Sequence, residues 1–160
     1  IYYIKNQVFL VKIFSEMLKM YPNARLLLVG EELEREKVEK IALTLGVLDK
    51  VIFAGQRTDI AQLLQAMDIM IFPSLFEALP VSLIEAQASQ LPCLISDAVT
   101  GEVKYNDNVD FMSLQADVSD WANRAFSLLK MSRKDVSIEQ LKQTYDIHLV
   151  AKQLEEIYEV

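Results

Sequence analysis

The sequence predicts an α/β fold: a doubly wound, Rossmann-like parallel sheet with helices on both faces. Three observations predict it. Short apolar runs at residues 25–29, 51–54, 68–72 and 93–96 alternate with longer segments whose apolar residues recur at helical spacing. Those runs are apolar at successive positions, as in strands covered on both sides. The first three end at Gly30, Gly55 and Pro73-Ser74, where the chain leaves a strand and turns.

The elements follow in order. Residues 7–20 carry Val8, Val11, Ile13, Phe14, Met17 and Leu18 on one helical face, and Tyr21-Pro22-Asn23 stops that helix. Residues 25–29 form a strand ending at Gly30. A charged amphipathic helix over 31–45 is closed by Gly46. Its charge run reads as a solvated face, with Glu32–Glu36 repulsion offset by Glu36–Lys40 attraction. The strand at 51–54 leads to Asp59, a candidate cap for a helix through Ala66. After the strand at 68–72, a helix over 80–89 has Pro80 in its first turn, where a missing N–H is harmless. Residues 93–96 form the next strand, and Ser96-Asp97 can cap the turn that follows. A helical turn at 102–105 and a weaker strand at 110–112 come next. Helices at 118–131, 134–144 and 148–158 complete the chain.

Bulk properties narrow the function. A chain of 160 residues fits one domain and can bury a core without disulfides or metal. The net charge of −7 lacks the concentrated basic face that nucleic-acid binding needs. Cys93, the lone cysteine, lies in the apolar run Pro92-Cys93-Leu94-Ile95 and reads as a buried structural thiol. No signal peptide and no apolar run of membrane-spanning length is present, so the expected setting is the reducing cytoplasm. The abrupt start at Ile1 predicts a fragment of a longer protein. His148, the only histidine, reads as structural or surface, and no metal-ligand spacing occurs.

In an open α/β sheet, ligands bind outside the carboxyl ends of the strands. Here those ends are Gly30-Glu31, Gly55-Gln56-Arg57, residues 73–80 and Ser96-Asp97. Two glutamates, Glu77 and Glu85, stand eight positions apart across the loop-to-helix junction in this set. Free N–H groups at the start of that helix suit an anion, and carboxylates suit hydroxyls. A nucleoside-diphosphate sugar has that layout.

These residues also carry a resemblance. Glu77 and Glu85, followed by Ala86-Gln87-Ala88-Ser89-Gln90-Leu91-Pro92-Cys93-Leu94-Ile95-Ser96-Asp97, closely resemble the signature of retaining glycosyltransferases of family 4 (group 1). Lys5-Asn6-Gln7, Pro22 to Gly30, Val51 to Ile60, Ile71-Phe72-Pro73-Ser74 and Gln153 to Tyr158 extend it along the whole chain. The resemblance is to enzymes of bacterial capsule and exopolysaccharide synthesis. It implies the C-terminal, donor-binding half of a GT-B fold, with an acceptor domain preceding Ile1.

By that resemblance Lys5 neutralises the donor diphosphate and Glu85 holds the ribose hydroxyls. Glu77 lies beside the donor sugar, as nucleophile or stabiliser. The amides of Ala78, Leu79 and Val81 hold sugar and phosphates. Gly30 and Arg57 complete the donor-binding set, Arg57 on the loop that meets the base. The donor is a nucleotide sugar, UDP-linked by expectation, and neither cofactor nor metal is implied. Membrane association, at the inner face, would come from the other half.

The chain departs from the family pattern in several places. Ala78 and Gln90 stand where glycine is usual, and Glu31-Glu32 replaces a Gly-rich turn. The Ala78 and Glu31-Glu32 departures motivate the alternative reading, a non-catalytic nucleotide-sugar-binding module or partner subunit. The arginine that precedes the family's lysine would fall before Ile1. A GT-B-fold sugar epimerase ranks lower, because its carboxylate and histidine set is not found.

Overall fold

Periodicity becomes architecture in the computed structural model, which describes residues 2–31, 34–133 and 136–158. A 3₁₀ turn, Tyr2–Lys5, precedes α1 (Gln7–Met20). Then come β1 (Leu26–Leu28), α2 (Arg35–Thr44), β2 (Val51–Phe53), α3 (Ile60–Ala66), β3 (Met70–Phe72), α4 (Val81–Ala88) and β4 (Cys93–Ser96). After β5 (Val109–Met112), α5 (Val118–Leu128), α6 (Glu139–Tyr145) and α7 (Ile147–Tyr158) end the chain. No helix of the described residues is long and apolar enough to cross a membrane.

All ladders are parallel, but they fall into two groups, β1–β2 and β3–β4–β5. The predicted sheet is thus divided into a two-stranded and a three-stranded part. Helix α1 packs across both parts, placing Leu10, Val11 and Phe14 over β1–β2, and Ile13 and Met17 against Leu94 and α5. Strand β4 shows why its residues are apolar without alternation. Cys93 and Ile95 face α3 and α4, while Leu94 faces α1 and α5. Both faces are covered, so polar residues have no place on either. Trp121 of α5 is fully buried there, edge-on to Phe9 at 5.8 Å, and its indole N–H donates to the Ser113 carbonyl (3.0 Å).

Several boundaries differ from the sequence reading. Helix α2 begins at Arg35 instead of residue 31, and Glu32 lies outside the described residues. Its ion pairs include Arg35–Glu39 (2.7 Å) and Lys37–Glu34 (2.6 Å), and among the described residues Glu36 and Lys40 do not pair. Pro80 is the N-cap of α4, with extended ψ, and Val81 opens the helix. The turn after β4 is capped by Thr100, whose hydroxyl accepts from the N–H of Glu102; Ser96 stays in the strand. Gln90 takes the glycine position after α4 with φ +55°. Its amide donates to the Val136 carbonyl (2.6 Å), a bond that offsets the cost of a left-handed non-glycine residue. Ala78 stands outside the left-handed region, so its side chain brings no φ strain. His148 is exposed on α7, where its own backbone N–H donates to the capping Asp146 carboxylate (2.9 Å).

The connection from β4 to β5 contains no α-helix and is held by side chains. Buried Gln87 of α4 donates to the carbonyls of Val103 (2.8 Å) and Leu83 (3.1 Å) and accepts from the N–H of Tyr105 (2.9 Å). The amide of Asn106 donates to the Gln87 carbonyl (3.1 Å). Tyr105 in turn meets Tyr145 of α6, hydroxyl to hydroxyl at 3.0 Å. That bond, with some burial, pushes the Tyr105 hydroxyl up to about 12. Cys93 is buried, and desolvation raises its thiol to about 12, as suits a structural residue.

Candidate functional site

The carboxyl ends of the strands form two neighbourhoods. At the end of β1–β2 the chain crosses through Gly30 and Gly55, both at positive φ (+122° and +62°). The N–H of Gly30 donates to the Gly55 carbonyl (2.8 Å), which closes the two strand ends together. Gln56 reaches back to donate to Glu31 (2.9 Å). Arg57 makes a two-pronged pair with Asp59 (2.8 and 2.6 Å). That pairing raises the Arg57 guanidinium and lowers the Asp59 carboxyl from their ordinary values. Asp59 therefore serves Arg57 and makes no side-chain cap on α3. A small recess lined by Gln7, Gly30, Glu31, Arg35 and Phe53 opens beside these loops.

The end of β3–β4 is tied differently. Loop residues 73–80 are tied to the N-terminal turn, to β4 and to the segment that follows β4. The N–H of Leu75 donates to the Ile4 carbonyl (2.8 Å), docking the N-terminal turn onto the loop. Asn6, in the left-handed conformation that asparagine tolerates, turns the chain between Lys5 and α1. The Ser96 hydroxyl donates to the Ser74 carbonyl, joining β4 to the loop. Glu77 forms a parallel bridge with Val99.

These ties bring Lys5 and Glu77 together. Lys5 Nζ lies 2.6 Å from Glu77 Oε1, and the same oxygen accepts from the Ser74 hydroxyl at 3.4 Å. The ammonium also stands over the Phe72 ring, 4.8 Å from its centre. The lysine side chain is 43% exposed and the glutamate 17%, so the cation faces outward over a largely covered carboxylate.

Helix α4 begins immediately after this loop. Pro80 has no N–H, and the helix start has no side-chain cap. The N–H groups of Leu79, Val81 and Ser82 find no acceptor among the described residues, which leaves them open to a ligand. Glu85 is exposed one turn in, on the same face as exposed Val81. Its carboxylate has no partner among the described residues. The opposite face, with Leu83, Ile84, Ala86 and Gln87, is buried. The helix is therefore fixed by its core side while Glu85 is held outward.

Of the residues singled out in the sequence, the structure joins Lys5 to Glu77 and sets Ala78, Leu79, Val81 and Glu85 along the following loop and helix. Gly30 and Arg57 belong to the other neighbourhood, and Arg57 is engaged by Asp59. Ser74, Asn6 and Gln87 were missed. A glutamine at a core-facing helix position was the readable signal for Gln87, since a buried amide demands partners. A groove of about 480 Å³ lies elsewhere, along β5 and α5 beside the Asp110–Arg124 pair, and it includes none of the predicted site residues.

Comparison with known proteins gives these features a context. The sequence model of glycosyl transferases group 1 matches residues 1–145. The Bacillus subtilis (strain 168) protein named glycosyltransferase EpsF is 37% identical over 120 residues, covering 74% of this chain and 31% of its own. The Vi polysaccharide biosynthesis protein VipC/TviE of Salmonella typhi is 34% identical over 94 residues, 59% of this chain and 16% of its own. Among solved structures, Anabaena HepE in complex with UDP and glucose superposes with a TM-score of 0.81 at 20% identity. That match covers 98% of this chain and 45% of HepE, and at this identity it speaks for the fold. The chain thus spans about a third or less of these curated relatives' length.

Proposed function

Because the chain belongs to the group 1 glycosyl transferases, we propose that it is the donor-binding, C-terminal half of a retaining glycosyltransferase that builds surface polysaccharide. In this reading it is one domain of a longer GT-B protein. The donor is a nucleoside-diphosphate sugar, UDP-linked by preference, and the acceptor is a glycan or lipid-linked glycan held by the other half. One observation carries the reading. The exposed cation of Lys5 and the open amides of Leu79, Val81 and Ser82 belong to one loop and helix start, with Glu85 following on the outer face.

Each group has a task that its chemistry suits. The diphosphate meets Lys5 and the helix N-terminus, where partial positive charge and free donors favour an anion. Glu85 accepts from the ribose hydroxyls. Glu77 stands beside the donor sugar and stabilises charge developing at the anomeric carbon. Diphosphate charge is then countered by protein groups, with no divalent ion in the scheme. The acceptor hydroxyl attacks the anomeric carbon on the same face as the leaving diphosphate, that carbon's bond to the diphosphate oxygen breaks, and the departing nucleoside diphosphate takes up the hydroxyl's proton. Work takes place on the cytoplasmic side, at the inner face of the membrane. The relatives support this reading: EpsF by its name as a glycosyltransferase, VipC/TviE by its role in Vi polysaccharide biosynthesis, and HepE by its bound UDP and glucose.

Calorimetric titration with UDP, GDP and ADP tests it. The chain is expected to bind UDP weakly and to transfer no sugar by itself. Glu85→Ala should weaken UDP binding about tenfold or more, since a hydrogen bond to a charged group contributes roughly 1.5–3 kcal/mol. A flat titration with all three nucleotides would reject the donor-site assignment.

A further inference from the structure

The Lys5–Glu77 pair poses a question that a simple phosphate-binding role for Lys5 leaves open. The cation that would meet the diphosphate already has an anion at 2.6 Å. The two residues are 72 positions apart in sequence, and the loop that carries Glu77 is independently held to the N-terminal turn by the Leu75–Ile4 bond. The contact is therefore set by the fold. The carboxylate is the more covered partner and is steadied by Ser74, while the ammonium is the more exposed. A ligand phosphate approaching from solvent reaches Lys5 first and competes with Glu77 for it.

We propose that Glu77 is the internal counter-ion of Lys5, displaced when a diphosphate arrives, and that this exchange sets the site against bare nucleoside diphosphate and in favour of its sugar ester. The inference rests on the donor-site reading above. When phosphate takes Lys5, the carboxylate loses its partner in a partly covered position, where an uncompensated charge is costly. A donor sugar restores the balance, because its hydroxyls can donate to the freed carboxylate. A nucleoside diphosphate without sugar offers no donor there, and its terminal phosphate adds negative charge. The same glutamate thus makes the product the poorer ligand and eases its departure. Glu77 acts on the phosphate through Lys5, so toward the diphosphate it is a positioning residue.

A double-mutant cycle on the chain, read by calorimetry with UDP and then with UDP-glucose as probe, tests the exchange. Glu77→Gln keeps the shape and the contact to Ser74 but removes the charge. It should tighten UDP roughly fivefold, the equivalent of a partly exposed ion pair near 1 kcal/mol, and should not tighten UDP-glucose to the same extent. Lys5→Met should weaken UDP, and in that background Glu77→Gln should add nothing. Unchanged or weaker UDP binding in Glu77→Gln overturns the proposal. So does a gain that persists without Lys5, because the carboxylate would then be repelling the phosphate directly. Equal gains for both probes remove the discrimination between product and donor. If Glu77→Gln melts well below the parent, Glu77→Asp takes its place. Its shorter side chain cannot close the 2.6 Å contact, and it should tighten UDP in the same direction. Absence of UDP binding in the parent chain would instead reject the donor-site reading itself.

Discussion

The two strand-end neighbourhoods are built on opposite plans. At the end of β1–β2, the side-chain pairs are local or exposed: Arg57 binds Asp59 two residues away, and Gln56 reaches Glu31 at the surface. Backbone shape, set by Gly30 and Gly55, determines that end. At the end of β3–β4, contacts join segments far apart in sequence: Lys5 to Glu77, Leu75 to Ile4, and Ser96 to Ser74. A local pair orders one loop and can be remade at small cost. Long-range ties over-determine position, which is what groups acting together on one ligand require. The first end is fixed chiefly by backbone shape, and the second by the placement of charges.

Breaking the buried bonds behind the second end, between α4 and the β4–β5 connection, should have the largest effect. Gln87→Leu keeps the volume but leaves the Val103 carbonyl and the Tyr105 N–H without their partner. A loss of about 2–3 kcal/mol is expected, since orphaned buried groups cost more than a hydrogen bond contributes. Urea denaturation would show a lower midpoint at unchanged slope. An unchanged midpoint would mean that the β4–β5 connection does not depend on this amide, and the contrast between the two ends would weaken.

That connection also marks the limit of what the sequence made legible. Strands and helices were readable because each carries its own period. Cys93, Leu94 and Ile95 declare a doubly covered strand by being apolar in succession. The division of the sheet into two parts was not, because strand neighbours depend on packing across the whole chain. Ser96 looks like a cap in the sequence, and only the β4 ladder, which keeps it extended, leaves that role to Thr100. Glu77, Glu85 and Lys5 could each be picked out by resemblance. Their pairing could not, since nothing local to Lys5 points to a partner 72 residues on.

Ser96→Ala probes the same end more gently. It removes one buried hydroxyl and leaves the Ser74 carbonyl without that donor. About 1 kcal/mol should be lost, read again from the urea midpoint. Because Ser74 also steadies Glu77, its displacement should loosen the counter-ion's hold on Lys5 and tighten UDP slightly, whereas an equal loss of stability made in α5 should leave UDP binding unchanged. A smaller effect, confined to alkaline pH, is expected at the α6 contact. Tyr105 is raised to about 12 chiefly by its bond to Tyr145. The contribution of a group raised on folding is complete below its ordinary value near 10 and is lost as pH rises through the folded value. Tyr145→Phe should remove that alkaline loss and bring the Tyr105 absorbance titration back towards 10.

The smallest effect belongs to the first end. Arg57 and Asp59 form a solvent-accessible pair, so Arg57→Gln should leave the melting temperature unchanged within error. Its signature is a titration. The Arg57 hydrogen bond holds the Asp59 carboxyl below its usual range, so whatever the pair contributes is present above that range and lost as pH falls through the depressed value. In Arg57→Gln, the Asp59 midpoint followed by carbon-detected NMR should return upward to the ordinary range. The same resonance reports on ligand binding. If the first end meets the base through its backbone, Arg57 stays with Asp59 and saturation with UDP leaves the midpoint where it was. An upward shift with UDP would mean that Arg57 has left its local partner for the ligand. The two ends would then share one strategy, exchange of an internal counter-ion for a ligand, and the contrast drawn between them would fail.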